Sequence, residues 1–152
     1  MKEEVEIGVK LSSDWFLTPP AFEFWIDDIK VVDDFVPEKN KENKEKMLSW
    51  IGNLDEGEHT IKIVLKNKSM RETVISKLDN NIIHDQLLYV DDVSIDQINL
   101  GFLVFKLSKF FPDNTIRPDL DDVIPNLNCI GYNGEWRLKF RVPTYLWLLE
   151  NF

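Results

Sequence analysis

The sequence predicts an all-β fold, an antiparallel β-sandwich. About eight short segments alternate apolar and polar side chains, which is the period of a strand with one buried face. Turn-forming residues separate these segments. No internal repeat and no sustained heptad pattern is visible, which argues against solenoid and coiled-coil folds.

The totals suit one domain spanning residues 1–152. Apolar residues make up 43% of the chain, enough for a packed core. Aromatic residues make up 12%, which fits either an all-β core or a surface that stacks on flat ligands. The sequence therefore predicts an ordered domain in which some aromatic side chains are candidates for ligand contact.

Charge and cysteine content narrow the classes of function. The net charge of −9 disfavours nucleic acid and membrane surfaces as partners, since both attract basic proteins. The start, MKEEVEIGVK, does not resemble a signal peptide, so we expect a cytoplasmic protein unless another route exports it. Cys129 is the one cysteine, so no internal disulfide forms; it is either a small core residue or a catalytic thiol.

The N-terminal part predicts one strand and one hairpin. Residues 4–11 alternate cleanly, and residues 21–36 form two alternating runs around the turn Asp27-Asp28. Trp25 alternates opposite the apolar side chains of the first run and is therefore a candidate for exposure. Residues 37–46 carry only Pro, Glu, Lys and Asn, which is typical of a solvated loop.

The middle predicts a second hairpin and a long connection. Residues 47–54 and 59–66 are strands around a turn that contains Gly57. Residues 67–84 connect them to the next strand, and a short turn of helix is expected within 69–78. Connections of this length inside compact domains are often functional.

The C-terminal half begins with a strand over 87–95, which we expect in the centre of the sandwich. Residues 102–111 fit both helical and strand spacing, and a strand running into a turn is preferred. Residues 112–132 predict a polar excursion, and 136–142 predict a strand after the turn Asn133-Gly134. Residues 145–152 are either a last strand or a short helix.

The best candidate site is the polar end of the long connection. Asp79, Asn80, Asn81 and Asp85 supply oxygen atoms of the kind that calcium prefers, within seven residues. The alternative is a solvated loop rich in turn-forming residues. His84 is a candidate ligand contact beside Asp85. Two further groups are weaker candidates: a second acidic cluster at Asp119, Asp121 and Asp122, and possible sugar-stacking aromatics at Trp15, Trp25, Trp50, Tyr89 and Trp147.

The order of motifs resembles the calcium-dependent xylan-binding carbohydrate-binding modules. The strings FEFWIDDIKVV, DEGEHTIKIVLKNK and DQLLYVDDVSIDQINLG carry the resemblance over roughly residues 5–100. That family has Asn-Asp at a strand end and then a segment Asp-Arg-Asn-Leu-x-Val-Asp-x-Ile. The matching positions here are Asn67-Lys68 and the segment 85–93, so Asn67, Asp85 and Asp91 carry over.

The resemblance implies a jelly-roll-like sandwich in which a loop at one end of the sheets holds calcium that coordinates sugar hydroxyls. Two departures weaken the metal: Lys68 replaces an acidic residue and Gln86 replaces the Arg. Residues 112–152 have no counterpart and form a C-terminal extension with terminal strands. The chain also resembles small tailed-bacteriophage proteins whose ending is similar to PTYLWLLENF.

These observations predict a non-catalytic carbohydrate-binding-like module on a phage virion that binds polysaccharide or host-surface glycan. The expected calcium ligands are Asp79, Asp85 and Asp91, and the expected ligand contacts are Asn67, Asn81, His84 and Trp25. No serine-nucleophile elbow is present, and with 27 acidic residues a pair of carboxylates is no sign of a glycosidase. The alternative is a purely structural virion protein that decorates a capsid or tail and binds only other virion proteins.

Overall fold

Alternating side chains build two antiparallel sheets that share one apolar core. The computed structural model describes residues 1–35, 45–115 and 117–152. Strands account for 55% of the described residues and helices for 11%, so the predicted all-β sandwich is confirmed.

The strands are β1 (Lys2–Asp14), β2 (Ala21–Ile26), β3 (Ile29–Phe35), β4 (Lys46–Asp55), β5 (Gly57–Leu65), β6 (Val74–Ile75), β7 (Ile82–His84), β8 (Leu87–Ile95), β9 (Ile98–Asn99), β10 (Lys109–Pro112), β11 (Ile124–Pro125), β12 (Cys129–Ile130) and β13 (Gly134–Val142). The helices are α1 (Leu103–Leu107) and α2 (Thr144–Asn151), with a 3-10 turn at Met70–Glu72. No helix of the described residues has the length and apolar character needed to cross a bilayer.

The front sheet has the order β12-β8-β1-β4, with β9 also paired to β8. The back sheet has the order β11-β10-β13-β5-β2-β3, and β6 pairs with β7 in a small separate hairpin. The predicted central position of residues 87–95 is confirmed, because β8 lies between β12 and β1. Residues 134–142 are also interior: β13 lies between β10 and β5, so the C-terminal part belongs to the sandwich itself.

The core lies between the two sheets and consists of the inward row of each long strand. Fully buried side chains come from both sheets, which makes the core continuous across the sandwich: Ile7, Leu11, Phe22, Phe24, Ile61, Ile63, Leu88, Phe110, Trp136 and Phe140. The period-2 alternation in the sequence therefore specifies which face of each strand is buried.

A bulge in β8 keeps its inward face apolar along the whole strand. Leu88 and Val90 are buried in the first half, and Val93 and Ile95 in the second, so strict alternation would fail at one point. The pairing of β1 with β8 shifts there, and Asp91 is the extra residue. One inserted residue restores the phase of the side chains, which is what a β-bulge does.

Residues 102–111 were predicted as a strand running into a turn, and that prediction is wrong. Residues 103–107 form α1, and only the following residues form a strand, β10. Gly101 precedes the helix at φ 56°, a conformation that suits glycine. The hydroxyl of buried Ser108 bonds the carbonyls of Phe105 and Leu127, which ends the helix at the start of the strand.

The C-terminal segment, left open between strand and helix, is the helix α2. Thr144 anchors its start: its backbone N–H donates to Glu3 at 3.1 Å and its hydroxyl to Asp96 at 2.6 Å. The predicted helical turn within 69–78 is present as three residues, Met70–Glu72. Most of the loop predicted at 37–46 lies outside the described residues.

Two turns are joined by His59. Its Nδ1 lies 2.7 Å from the Asp27 carboxylate and its Nε2 lies 2.6 Å from the Asp55 carbonyl oxygen. Both partners are acceptors, so only the doubly protonated ring can donate to both. Partial burial by itself lowers the pKa of His59, but the acceptors at Asp55 and Asp27 outweigh it and the pKa is raised.

The raised pKa makes part of the stability pH-dependent. A raised folded-state pKa contributes stability that is complete below the unfolded value of about 6.5 and is lost as pH rises through the folded value. The free energy of unfolding, measured with urea from pH 6 upward, should therefore fall across this window. His59→Gln should remove that decrease, while His84→Gln should retain it. An equal decrease in the His59 variant would contradict this assignment.

Candidate functional site

The long connection between β5 and β8 docks on the segment that follows β1. Asn67 makes the first contact: its amide donates to the Pro19 carbonyl at 3.0 Å and its oxygen accepts from the Ala21 N–H at 2.8 Å. Both ends of this amide are thus used inside the fold. Asn67, predicted as a ligand contact, lies where it positions the backbone of a neighbouring segment.

Two buried polar side chains complete this docking at Thr18. Gln86 donates its amide to the Thr18 carbonyl at 3.0 Å, and the Thr18 N–H donates to the Glu72 carboxylate at 3.3 Å. Glu72 is 3% exposed and Gln86 is completely buried. The imidazole of His84 stacks on Phe16 with ring centroids 4.3 Å apart, nearly parallel. The connection is therefore held against the sandwich at both of its ends, while its middle, residues 77–83, is exposed.

A cavity of about 460 Å³ opens between this connection and the segment 113–133. Its wall combines charged, polar and apolar side chains from both segments, namely Lys68, Ser69, Met70, Thr73, Ile82, Asp85, Leu87, Asp113, Arg117, Cys129, Gly131, Tyr132 and Asn133. The volume falls within the range of small-molecule sites. We refer to this space as the Asp85 cavity.

An ion pair lies at the centre of the Asp85 cavity. Lys68 Nζ lies 2.6 Å from Asp85 Oδ1, and both side chains are largely buried, with 12% and 18% of their surface exposed. The same carboxylate oxygen accepts from the Thr73 hydroxyl at 2.8 Å and from the Gln86 N–H at 2.9 Å. Lys68 also donates to the Gly131 carbonyl, so one ammonium joins the two walls.

The opposite wall is built around Tyr132. The guanidinium of Arg117 lies 5.1 Å from the centre of this ring and the ammonium of Lys68 lies 5.7 Å from it. Asn133 pairs with the Lys68 backbone through both amide ends, at 2.8 and 2.7 Å. These contacts place an aromatic ring, a lysine and an asparagine on one polar surface.

The charges of the Asp85 cavity largely compensate one another. Lys68 is paired with Asp85, and Arg117 binds Asp119 through two nitrogens at 2.9 and 2.7 Å. The guanidinium lowers the pKa of Asp119 to about 2. The Thr115 hydroxyl and N–H likewise lower the pKa of Asp113. The wall thus carries hydrogen-bond donors and acceptors, and positive and negative side chains in equal number.

Cys129 lines the same cavity and is partly buried. Burial and the nearby Asp85 carboxylate raise the pKa of its thiol, although Lys68 and Tyr89 act in the opposite sense. A nucleophilic cysteine needs its thiolate, which a raised pKa disfavours at neutral pH. The packing role proposed for Cys129 from the sequence is the better supported of its two alternatives.

The three predicted calcium ligands lie in different settings. Asp79 is exposed, and its carboxylate accepts from the Asn81 N–H at 3.0 Å and from the Asn81 amide at 2.9 Å, which lowers its pKa. Asp85 is the acceptor for Lys68. Asp91 is the bulge residue of β8 and lies four strand residues beyond Leu87, about 13 Å along the strand.

Within residues 1–35, 45–115 and 117–152, no group of three or more His, Cys, Asp or Glu is arranged to hold a metal ion. At Asp85 a cation is already supplied by the protein, because the Lys68 ammonium bonds both the carboxylate and the Gly131 carbonyl. Calcium would have to displace it. Calcium binding stays a prediction.

The remaining candidates lie outside the Asp85 cavity lining. Trp25 is on the outer face of β2, with the ammonium groups of Lys62 and Lys30 at 5.0 and 5.7 Å from its ring. Trp147 is buried in the core, and the partly buried Trp50 packs against the core. In the second acidic cluster, Asp122 accepts from the Asn114 amide at 2.8 Å and Asp119 is bound by Arg117.

Comparisons with protein-family models, with curated proteins and with solved structures find no match.

Among the lining residues that were not candidates from the sequence are the three that build the wall at Tyr132: Arg117, Tyr132 and Asn133. They belong to the stretch predicted as a polar excursion and to the turn after it. The Asn-Gly turn at 133–134 was visible, but its pairing with Lys68 joins residues 65 positions apart. A local pattern carries no signal for such a contact.

The Lys68–Asp85 pair should contribute more to stability than an exposed pair. We expect a double-mutant cycle with Lys68→Met and Asp85→Asn, followed by urea unfolding, to give a coupling of about 1–2 kcal/mol. The matched control is Arg117→Met with Asp119→Asn, whose side chains are 45% and 61% exposed. That pair should give a clearly smaller coupling, because solvent screens exposed charges. Equal coupling in both cycles would show that burial of the Lys68–Asp85 pair adds nothing.

Proposed function

We propose that this protein is a non-catalytic carbohydrate-binding-like β-sandwich whose ligand site is the Asp85 cavity. The observation that carries the proposal is the composition of that cavity: paired charges and amides on its walls, beside the ring of Tyr132. The resemblance to carbohydrate-binding modules leads to Asp85 from the sequence, and the resemblance to phage proteins supports a place on a virion surface.

The chemistry of a sugar suits this wall. Each hydroxyl group both donates and accepts a hydrogen bond, so it needs donors and acceptors side by side. The cavity offers donors at Lys68, Arg117 and Asn133 and acceptors at Asp85 and Asp113. The apolar faces of a sugar ring can pack on Tyr132 and on exposed apolar residues of the wall, Met70 and Ile82.

A binding role fits better than hydrolysis. A glycosidase needs one carboxyl group with a raised pKa to act as the acid. Of the two carboxylates that line the cavity, Asp85 is ion-paired with Lys68, and the pKa of Asp113 is lowered by Thr115. Asp85 is committed to Lys68 and the shift at Asp113 is opposite to the one an acid needs, so we propose no catalytic residue.

Affinity electrophoresis through gels that contain individual polysaccharides, xylan among them, tests the proposal. We expect at least one polysaccharide to retard the protein. Tyr132→Ala and Asp85→Asn should each weaken that retardation about tenfold, a loss of about 1.4 kcal/mol. Trp25→Ala, on the outer face of the back sheet, is the control that should bind normally. Loss at Trp25 alone would move the site to that face, and no retardation by any polysaccharide would remove the proposal.

Calcium binding is tested separately, by calorimetry. We retain it as a proposal because Asp79, Asn81 and Asp85 are oxygen donors near one another in sequence. Titration calorimetry with calcium should be run on the native protein and on Lys68→Ala, which removes the competing ammonium. Heat that a chelator abolishes would support calcium, most strongly in the variant. No heat in either protein removes calcium while leaving glycan binding intact.

The second candidate function is purely structural, docking to other virion proteins. The observation that favours it is the outer face of α2, where four large apolar side chains are exposed: Tyr145, Leu146, Leu149 and Phe152. Exposed apolar faces of this kind are typical of interaction surfaces. Stoichiometric copies in purified phage particles, lost on Leu149→Lys, would favour this function. A protein absent from the particles would oppose it.

A further inference from the structure

The edges of the two sheets differ in how they are protected against pairing with another chain. An edge strand presents unpaired N–H and C=O groups, and proteins protect such edges with short strands, charges, proline or bulges. In the front sheet, the edge opposite β4 is formed by β12 and β9, and each of these strands is only two residues long. In the back sheet, β11 is also two residues and includes Pro125.

The other edge of the back sheet, β3, is protected by charge and irregular pairing. It carries Lys30, Asp33 and Asp34, and its register with β2 shifts next to Trp25. Lys30 and Asp33 also take part in ion pairs across the sheet surface. A neighbouring strand would have to accommodate both the shift and this charged network.

The edge at β4 has none of these features. It is ten residues long, without proline, and its only charged residues are the first and the last, Lys46 and Asp55. Its pairing with β1 runs from end to end with no register shift. Among the residues that the structure describes, no strand pairs with its outer edge. A long, regular and apolar edge of this kind is a template for another strand.

We propose that β4 pairs antiparallel with β4 of a second copy of this chain, in the register that places Ile51 opposite itself. Residues that face each other across two strands must point to the same side of the sheet. In β4 the row of Leu48 and Leu54 is buried, and the alternate row of Met47 and Ile51 is 65% and 61% exposed. A twofold axis through Ile51 matches inner row with inner row and outer with outer.

Self-complementarity selects this register. Leu48 lies opposite the partner's Leu54, and Ser49 opposite the partner's Asn53. Beyond the ends of the apolar stretch, Lys46, which is paired with Asp34 of its own chain at 2.6 Å, lies opposite the partner's Glu56, so opposite charges face each other at both ends. The neighbouring register, with Trp50 opposite itself, would place Lys46 opposite the buried Leu54 of the other copy, which costs the desolvation of a charge.

Trp50 and Gly52 add a steric match. The indole of Trp50 already covers Gly52 of its own strand, because a Cβ atom built there would lie 2.3 Å from the ring. Only glycine fits at this position of the inner row, because the Trp50 ring occupies the place where any other side chain would lie. In the proposed register each Trp50 lies opposite the partner's Gly52, so the large ring again meets the smallest residue. The two front sheets would join into one continuous sheet through β4.

The proposal is independent of glycan binding, because the edge shares no residue with the Asp85 cavity. Sedimentation velocity over a range of protein concentrations should show a dimer that dissociates on dilution. Ile51→Lys places two like charges opposite each other and should give a monomer at all concentrations. Leu149→Lys, an equally drastic change at a 74% exposed position on α2, should leave the dimer unchanged. Thermal unfolding checks that both variants fold.

Cysteine cross-linking tests the register. In a Cys129→Ser background, Ile51→Cys should oxidise to a disulfide dimer, because directly opposed residues have Cα atoms about 4.5–5.5 Å apart. Ser49→Cys alone should not, since its two copies would be about 13 Å apart along the strands. Mixed with Asn53→Cys, it should cross-link. A protein that stays monomeric, or a dimer lost on Leu149→Lys and kept on Ile51→Lys, overturns the proposal. A dimer in which Ile51→Cys fails to cross-link overturns the register.

Discussion

The backbone of Thr18 is held on both sides by buried polar side chains, and the position of the connection that lines the Asp85 cavity depends on this arrangement. Burying a carboxylate and an amide is unfavourable unless their hydrogen bonds are satisfied. Glu72 accepts from the N–H of Thr18 and the amide nitrogen of Gln86 donates to the carbonyl of the same residue, while Gln86 Oε1 has no hydrogen-bond partner among the described residues. The connection that carries them is therefore held against the sandwich at Thr18. Lys68 and Asp85 belong to the same connection and reach the cavity from it.

The ion pair between Lys68 and Asp85 decides the chemical character of the cavity. A lone buried carboxylate would attract a metal ion, and a lone buried ammonium would attract an anion. Paired at 2.6 Å, they present hydrogen-bonding groups with little net charge. This is the environment that a neutral, hydroxyl-rich ligand requires. The same lysine contacts Gly131 and lies near Tyr132, so the proposed ligand site and the packing of the two walls share one side chain.

Sequence patterns located the strands better than the site. Strands with one buried row, such as β1, β5 and β13, follow directly from alternation, because burial of one face imposes period 2. Residues 102–107 failed the same reasoning, since Leu103 and Val104 are buried next to each other and no strand face accommodates both. The spacing of a short apolar run does not by itself separate a helix from a strand, and the contacts of α1 with β8 and β13 decide for the helix.

The sequence by itself determined the fold class and the positions of the main strands along the chain, and it singled out Asp85 and Lys68 as residues on which the candidate site depends. It did so because strand alternation and short motifs are local, and local patterns are legible in one chain. Only the tertiary structure decided that Asn67 bonds a neighbouring segment and that Lys68 bonds Asp85. It also brought Arg117, Tyr132 and Asn133 to the other wall. These contacts join residues far apart in sequence, and the packing of two sheets, rather than any local preference, brings them together.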